Sequence, residues 1–142
     1  MSSSNPTPVT AKPSISGIIK NGAIAGVGAA IVNAILYFIG LPLGAFPEDV
    51  LNPMGVPITL GPVVIVTLIG AVMGIVGYIV LTRFLSKPQA DRWFLILAIV
   101  VLVLMAINPF TLPGVGAMQI LFLQIMHLTI GGALIYYLPK SV

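Results

Sequence analysis

The chain reads as four long apolar runs separated by short polar or proline-rich breaks. A helix needs about 20 mostly apolar residues to cross a bilayer, and four segments meet that length: roughly Ile18 to Ile39, Leu60 to Thr82, Pro88 to Ile107 and Met118 to Leu138. Pro88 suits a first helical turn, where its missing N–H is not needed. Asn108-Pro109 closes the third span and Pro139 the fourth. The pattern predicts an all-α, polytopic membrane protein of four transmembrane helices, with residues 14–142 as one domain.

The breaks differ in kind. Residues 1–13 are Ser-, Asn-, Pro- and Thr-rich with one lysine. They have nothing to bury and are expected to form a disordered tail. A cleaved secretory signal fits poorly, because the following apolar stretch is too long and lacks a small-x-small site at its end. The stretch Gly40 to Thr59 holds Pro42, Pro47, Pro53 and Pro57, which argue against a regular helix or central strand. It also holds many large apolar residues, so it is expected to lie on the membrane surface or to cap the bundle. Asn108 to Ala117 is short and rich in Gly and Pro.

Within the spans, a second pattern recurs at helical spacing. Positions three and four apart share a helix face. Gly22, Gly26, Ala29, Asn33 and Tyr37 share one in the first span; Thr67, Gly70, Gly74 and Gly77 in the second; Gln124, His127 and Gly131 in the fourth. Small residues let helix backbones approach closely where lipid supplies no hydrophobic drive for association. Gly22, Gly26, Gly70, Gly74, Gly77 and Gly131 are therefore candidate helix-packing positions. At a rise of about 1.5 Å per residue, Asn33, Thr67 and Gln124 sit roughly 9–11 Å from the same end of the bundle. His127, the sole histidine, is one turn deeper. These four are the candidate ligand-binding residues, expected to converge in a small polar pocket beneath the Gly40–Thr59 loop. Span three, WFLILAIVVLVLMAI, has no polar residue in its middle and is expected to face lipid most.

Composition and charge sharpen the picture. Of 142 residues, 58% are hydrophobic and 6% charged, against about 25% charged in soluble domains. Nine charges cannot cover a soluble surface. The net charge of +3 is too small and scattered for a nucleic-acid footprint, so no nucleic-acid partner is expected. Lys12, Lys20, Arg83, Lys87, Arg92 and Lys140 all fall on one side of a four-span arrangement, while Glu48 and Asp49 fall on the other. The positive-inside rule then puts both termini in the cytoplasm of a cell (inner) membrane protein.

The absent chemistry narrows function. With no cysteine, disulfides, thiolate catalysis and cysteine-held metals are excluded. No acid or base other than His127 lies mid-span. Proton-coupled transporters usually carry a membrane-embedded acid, and a nucleophile–base–acid set would need an activated hydroxyl and an orienting carboxylate beside His127. An enzyme is not expected, no metal site is expected, and no cofactor is specified. His127 has two open readings, a hydrogen-bonded structural residue or a ligand-binding one. With no acid in any span to stabilise an imidazolium, its ring is expected to be neutral.

Asn33 before an aliphatic-aromatic helix end, Gly61-Pro62, the basic connection after span two and Met126-His127 together resemble a family of small bacterial four-helix integral membrane proteins of unknown function, over residues 18 to 138. The resemblance implies the topology and no known activity. The first functional expectation is a non-enzymatic accessory or scaffolding subunit that binds another membrane protein, a lipophilic ligand or itself. The second is a small oligomeric channel or transporter. The third is a cofactor-binding subunit that uses His127.

Overall fold

In a computed structural model, residues 12–141 are described. The expected tail lies outside these residues except at positions 12 and 13. Four helices follow one another: α1 (Ile15–Gly40), α2 (Leu60–Phe84), α3 (Lys87–Ile107) and α4 (Ala117–Tyr137). Each is long and apolar enough to cross a membrane. Their bounds fall within three residues of the apolar runs read from sequence. Among the described residues there is no strand, only one isolated bridge between Leu51 and Pro57. The chain is thus an all-helical, multi-pass membrane protein.

Helix α1 is the hub. The Ser14 hydroxyl caps its start by accepting from the Gly17 amide at 3.0 Å, satisfying one N–H that the helix itself cannot. Ile18, Gly22, Ala25, Gly26, Ala29, Ala30, Asn33 and Tyr37 are buried along it at helical spacing. Small side chains there let α2 and α4 press in on either side. A Cβ at Gly26 would come 2.6 Å from Ala71 Cβ of α2, and one at Gly22 would run into Ile75 of α2 and approach Leu138 at 3.3 Å. Helix α3 is different. Only Ala90 and Phe94 are buried in it, both near its start, and the rest is exposed or half-buried.

The bundle has two distinct ends. One carries the two-residue connector 85–86, the start of α1 and the end of α4; we call it the connector end. Its core is Ile18, Ala25, Tyr78, Phe94, Leu134 and Leu138. The other, the loop end, is closed by residues 41–59. That loop caps the bundle: Ala45, Phe46 and Val50 are buried. Phe46 stacks 4.9 Å from Tyr37 and meets Phe122 edge-on at 6.0 Å. The loop reverses at Gly44 and Gly55, both at positive φ, a backbone region open to glycine at little steric cost.

Candidate functional site

Beyond a contact between Tyr78 and Phe94 near the connector, α2 and α3 enclose a cleft with α4 at its back. Its volume is 770 Å³. It runs along α2 from Pro62 to Leu81 and along α3 from Phe94 to Met105, with Asn108 just past the end of that helix. Nineteen residues of helix rise make about 28 Å, close to the roughly 30 Å thickness of the hydrocarbon core. The mouth is framed by exposed Val66, Ile69 and Met73 of α2 and Leu97 and Val101 of α3. Asn52, Met54 and Ile58 of the loop cover its loop end. No Asp, Glu, Lys or Arg lines it.

Asn33 and Thr67 meet where α1, α2 and α4 come together. Asn33 Nδ2 donates to Thr67 Oγ1 at 3.0 Å and to the Met126 carbonyl at 3.3 Å. The Thr67 hydroxyl donates back to the Val63 carbonyl of its own helix at 2.7 Å. Both residues are buried, and both reach the cleft wall. Asn33 Oδ1 is buried with no partner. One amide therefore ties three helices together and still has acceptor capacity unused.

His127 follows Met126, so it stands on the same turn of α4 that Asn33 grips, and it lines the cleft directly. Its Nδ1 is buried without a well-formed hydrogen bond. The Leu123 carbonyl, one turn back on α4, acts on the ring. The ring is the one ionisable group on the cleft wall. Among the described residues no three His, Asp or Glu side chains converge as metal ligands would, so the cleft offers a single ligating nitrogen.

Gln124 does not join this group. Its Nε2 donates to the Ala106 carbonyl of α3 at 2.6 Å, and it is absent from the cleft wall. The expected four-residue convergence thus becomes Asn33–Thr67 with His127 beside them, and Gln124 pins the far end of α3 to α4. The candidate packing glycines also divide. Gly22 and Gly26 sit in the α1–α2 seam, a Cβ on Gly74 would meet Leu134 at 2.7 Å, and one on Gly131 would meet Leu102 of α3 at 2.6 Å. Gly70 is looser, with Ile130 at 3.8 Å, and Gly77 has nothing within 4 Å. Both open onto the cleft. A face shared in sequence is split because α2 turns one edge to α1 and α4 and the other to the gap before α3.

Sequence reasoning missed a second polar group, at the connector end. Lys87 Nζ pairs with Asp91 at 2.8 Å and also donates to the Pro139 carbonyl at 2.6 Å. The Tyr78 hydroxyl donates to Asp91. Asn21 Nδ2 donates to the Tyr137 carbonyl at 3.1 Å and to Ser141 Oγ at 3.3 Å. The Lys87-Asp91 spacing of i,i+4 was the signal that could have found part of it.

No curated protein and no solved structure is detectably similar to the chain. One family profile covers residues 13–142, that of a family of unknown function, and with nearly the whole chain matched the protein belongs to the DUF6069 family.

Proposed function

We propose that this protein acts by binding rather than by catalysis, and holds a lipophilic molecule in the cleft between α2, α3 and α4. The observation that carries the reading is a charge-free apolar cleft as long as the hydrocarbon core is thick. A bundle optimised only for packing closes such gaps, because voids forfeit dispersion contacts on every lining atom. The non-catalytic part is supported by the surroundings of His127. Thr67 spends its proton on Val63, and Asp91 is engaged at the opposite end with Lys87 and Tyr78, so neither forms a triad with the imidazole. An accessory role beside a larger membrane protein fits a small binder of this kind. The resemblance to bacterial proteins suggests the inner membrane as its site.

The test is to purify the full chain in mild detergent and identify the co-extracted lipophiles by mass spectrometry. A Gly77→Phe variant, which projects a ring into the open cleft, is expected to lose the species that the unaltered chain retains. Identical extracts from the two would end the reading.

For orientation, we propose that the connector end is cytoplasmic, since all six basic residues gather there. With an impermeant thiol reagent applied from outside intact cells, Asp49→Cys should be labelled and Arg92→Cys spared. The reverse pattern inverts the topology.

A further inference from the structure

We propose that the cleft takes an uncharged, elongated hydrocarbon bearing a hydroxyl part-way along its length, and that this hydroxyl donates a hydrogen bond to Nε2 of His127. The inference rests on the cleft-binding reading above and adds the chemistry of the ligand.

Charge comes first. No ionised side chain lines the cleft, and an ion buried there without a partner would be strongly disfavoured. A charged headgroup therefore stays outside. Position comes second. His127 lies midway along α4 (Ala117–Tyr137), about 15 Å from either helix end. The cleft continues past it both ways, to Leu123 and to Leu134. A phospholipid aligned with the bilayer keeps its polar groups at the interface and would offer His127 only methylenes. A polar partner at mid-depth has to be carried within the hydrocarbon itself.

The ring's own polarity decides between donor and acceptor. Nδ1 is the nitrogen nearer the backbone and is buried. A helical side chain leans back over the preceding turn, so Nδ1 is the nitrogen that faces that turn, where the Leu123 carbonyl acts on the ring, and a carbonyl there attracts an N–H and repels a lone pair. That assigns the proton of the neutral ring to Nδ1. Nε2 is then a bare acceptor, and no further hydrogen bond from the described residues reaches the ring. An acceptor in hydrocarbon calls for a donor. An alcohol or phenol O–H supplies one; a ketone or ester carbonyl does not.

The experiment compares three esters of equal length, methyl 12-hydroxystearate, methyl 12-oxostearate and methyl stearate, partitioning between empty nanodiscs and nanodiscs that carry the full chain. The hydroxy ester is expected to be enriched roughly fivefold over the other two, the yield of one ordinary hydrogen bond. His127→Leu should make all three partition alike. His127→Gln, which keeps an acceptor of similar reach, should retain most of the preference. Equal enrichment of the oxo ester overturns the proposal, as does a hydroxyl preference that survives His127→Leu. Gly77→Phe separates the two levels of the argument. If it lowers the binding of all three esters while the unaltered chain shows no hydroxyl preference, only the ligand chemistry is wrong. If all three bind Gly77→Phe undiminished, or none is enriched by the unaltered chain, the cleft-binding reading fails with it.

Discussion

The two ends of the bundle use their polar residues in opposite ways. At the connector end, Asn21, Tyr78, Thr82, Lys87, Asp91 and Ser141 all find protein partners. Among the described residues, the four buried side-chain atoms without a partner are Asn33 Oδ1, both amide atoms of Gln119, and His127 Nδ1. They lie in the middle of the bundle or toward its loop end. In hydrocarbon, each such atom costs free energy that water would otherwise offset. Two of them, on Asn33 and His127, belong to residues of the cleft wall, and unpaired polar atoms there are what a binding site held at some expense of stability looks like. The connector end, paired and closely packed around Tyr78, is what holds the helices in register beside a cleft that runs most of their length.

That contrast is broken most directly by overpacking the tight side. Gly22 lies where α1 meets Ile75 of α2 and Leu138, in the connector-end core. Gly22→Leu forces those neighbours apart, and overpacking costs about 1–3 kcal/mol or more when backbones must move. A clear fall in melting temperature in detergent is the expected result. An unchanged melting point would mean that the seam is loose and the two ends are alike.

A second, smaller effect compares one polar residue from each end. Tyr78→Phe removes the donor to Asp91, and hydrogen bonds to charged groups are worth about 1.5–3 kcal/mol. Partial exposure of the Lys87–Asp91 pair puts the loss at the lower end of that range. Asn33→Leu removes two donated bonds at roughly 0.6 kcal/mol each. It also removes the unpaired Oδ1, whose burial was unfavourable, so its net cost should fall below that of Tyr78→Phe. Melting curves of the two variants side by side decide this; a larger loss for Asn33→Leu would show that the loop half is held by its polar groups after all.

Why some of this was legible in sequence and some was not follows from the solvent. Helix existence and bounds came from run length and punctuation, because Pro109 and Pro139 and the proline-rich loop interrupt the apolar pattern wherever the chain leaves the bilayer. Asn33 and Thr67 were legible as a pair from matched depth. The cleft was not. Val101 and Leu97 look the same whether they face lipid, a neighbouring helix or an apolar gap, since lipid tails are as apolar as leucine. Gln124 was misgrouped for a related reason. Spacing of three puts it beside His127 on α4, yet about 60° round the helix, enough for it to reach α3 rather than α1. The connector-end clasp required knowing that Tyr78, before the turn, and Asp91, after it, fold back onto each other. Gln119, fully buried at the start of α4, carried no sequence signal that set it apart from an interfacial glutamine.

The smallest expected effect sharpens the comparison from the open side. Gly77 shares a helix face with Gly74 and Gly70, and by sequence it belongs to the same packing stripe. A Cβ at Gly74 would meet Leu134 at 2.7 Å, whereas one at Gly77 meets nothing within 4 Å. Gly77→Leu should therefore leave the melting temperature nearly unchanged, within about 0.5 kcal/mol. The new side chain enters the cleft, displaces whatever apolar material occupies it and gains comparable contacts. Gly74→Leu has to move Leu134, whose flexible end can yield in part, so its loss should fall between that of Gly77→Leu and that of Gly22→Leu. The order Gly22, Gly74, Gly77 runs from the closed seam to the open cleft across a few helical turns. If Gly77→Leu destabilises as much as Gly74→Leu, α3 closes onto α2 in the membrane. The gap between them would then be too narrow to hold a ligand.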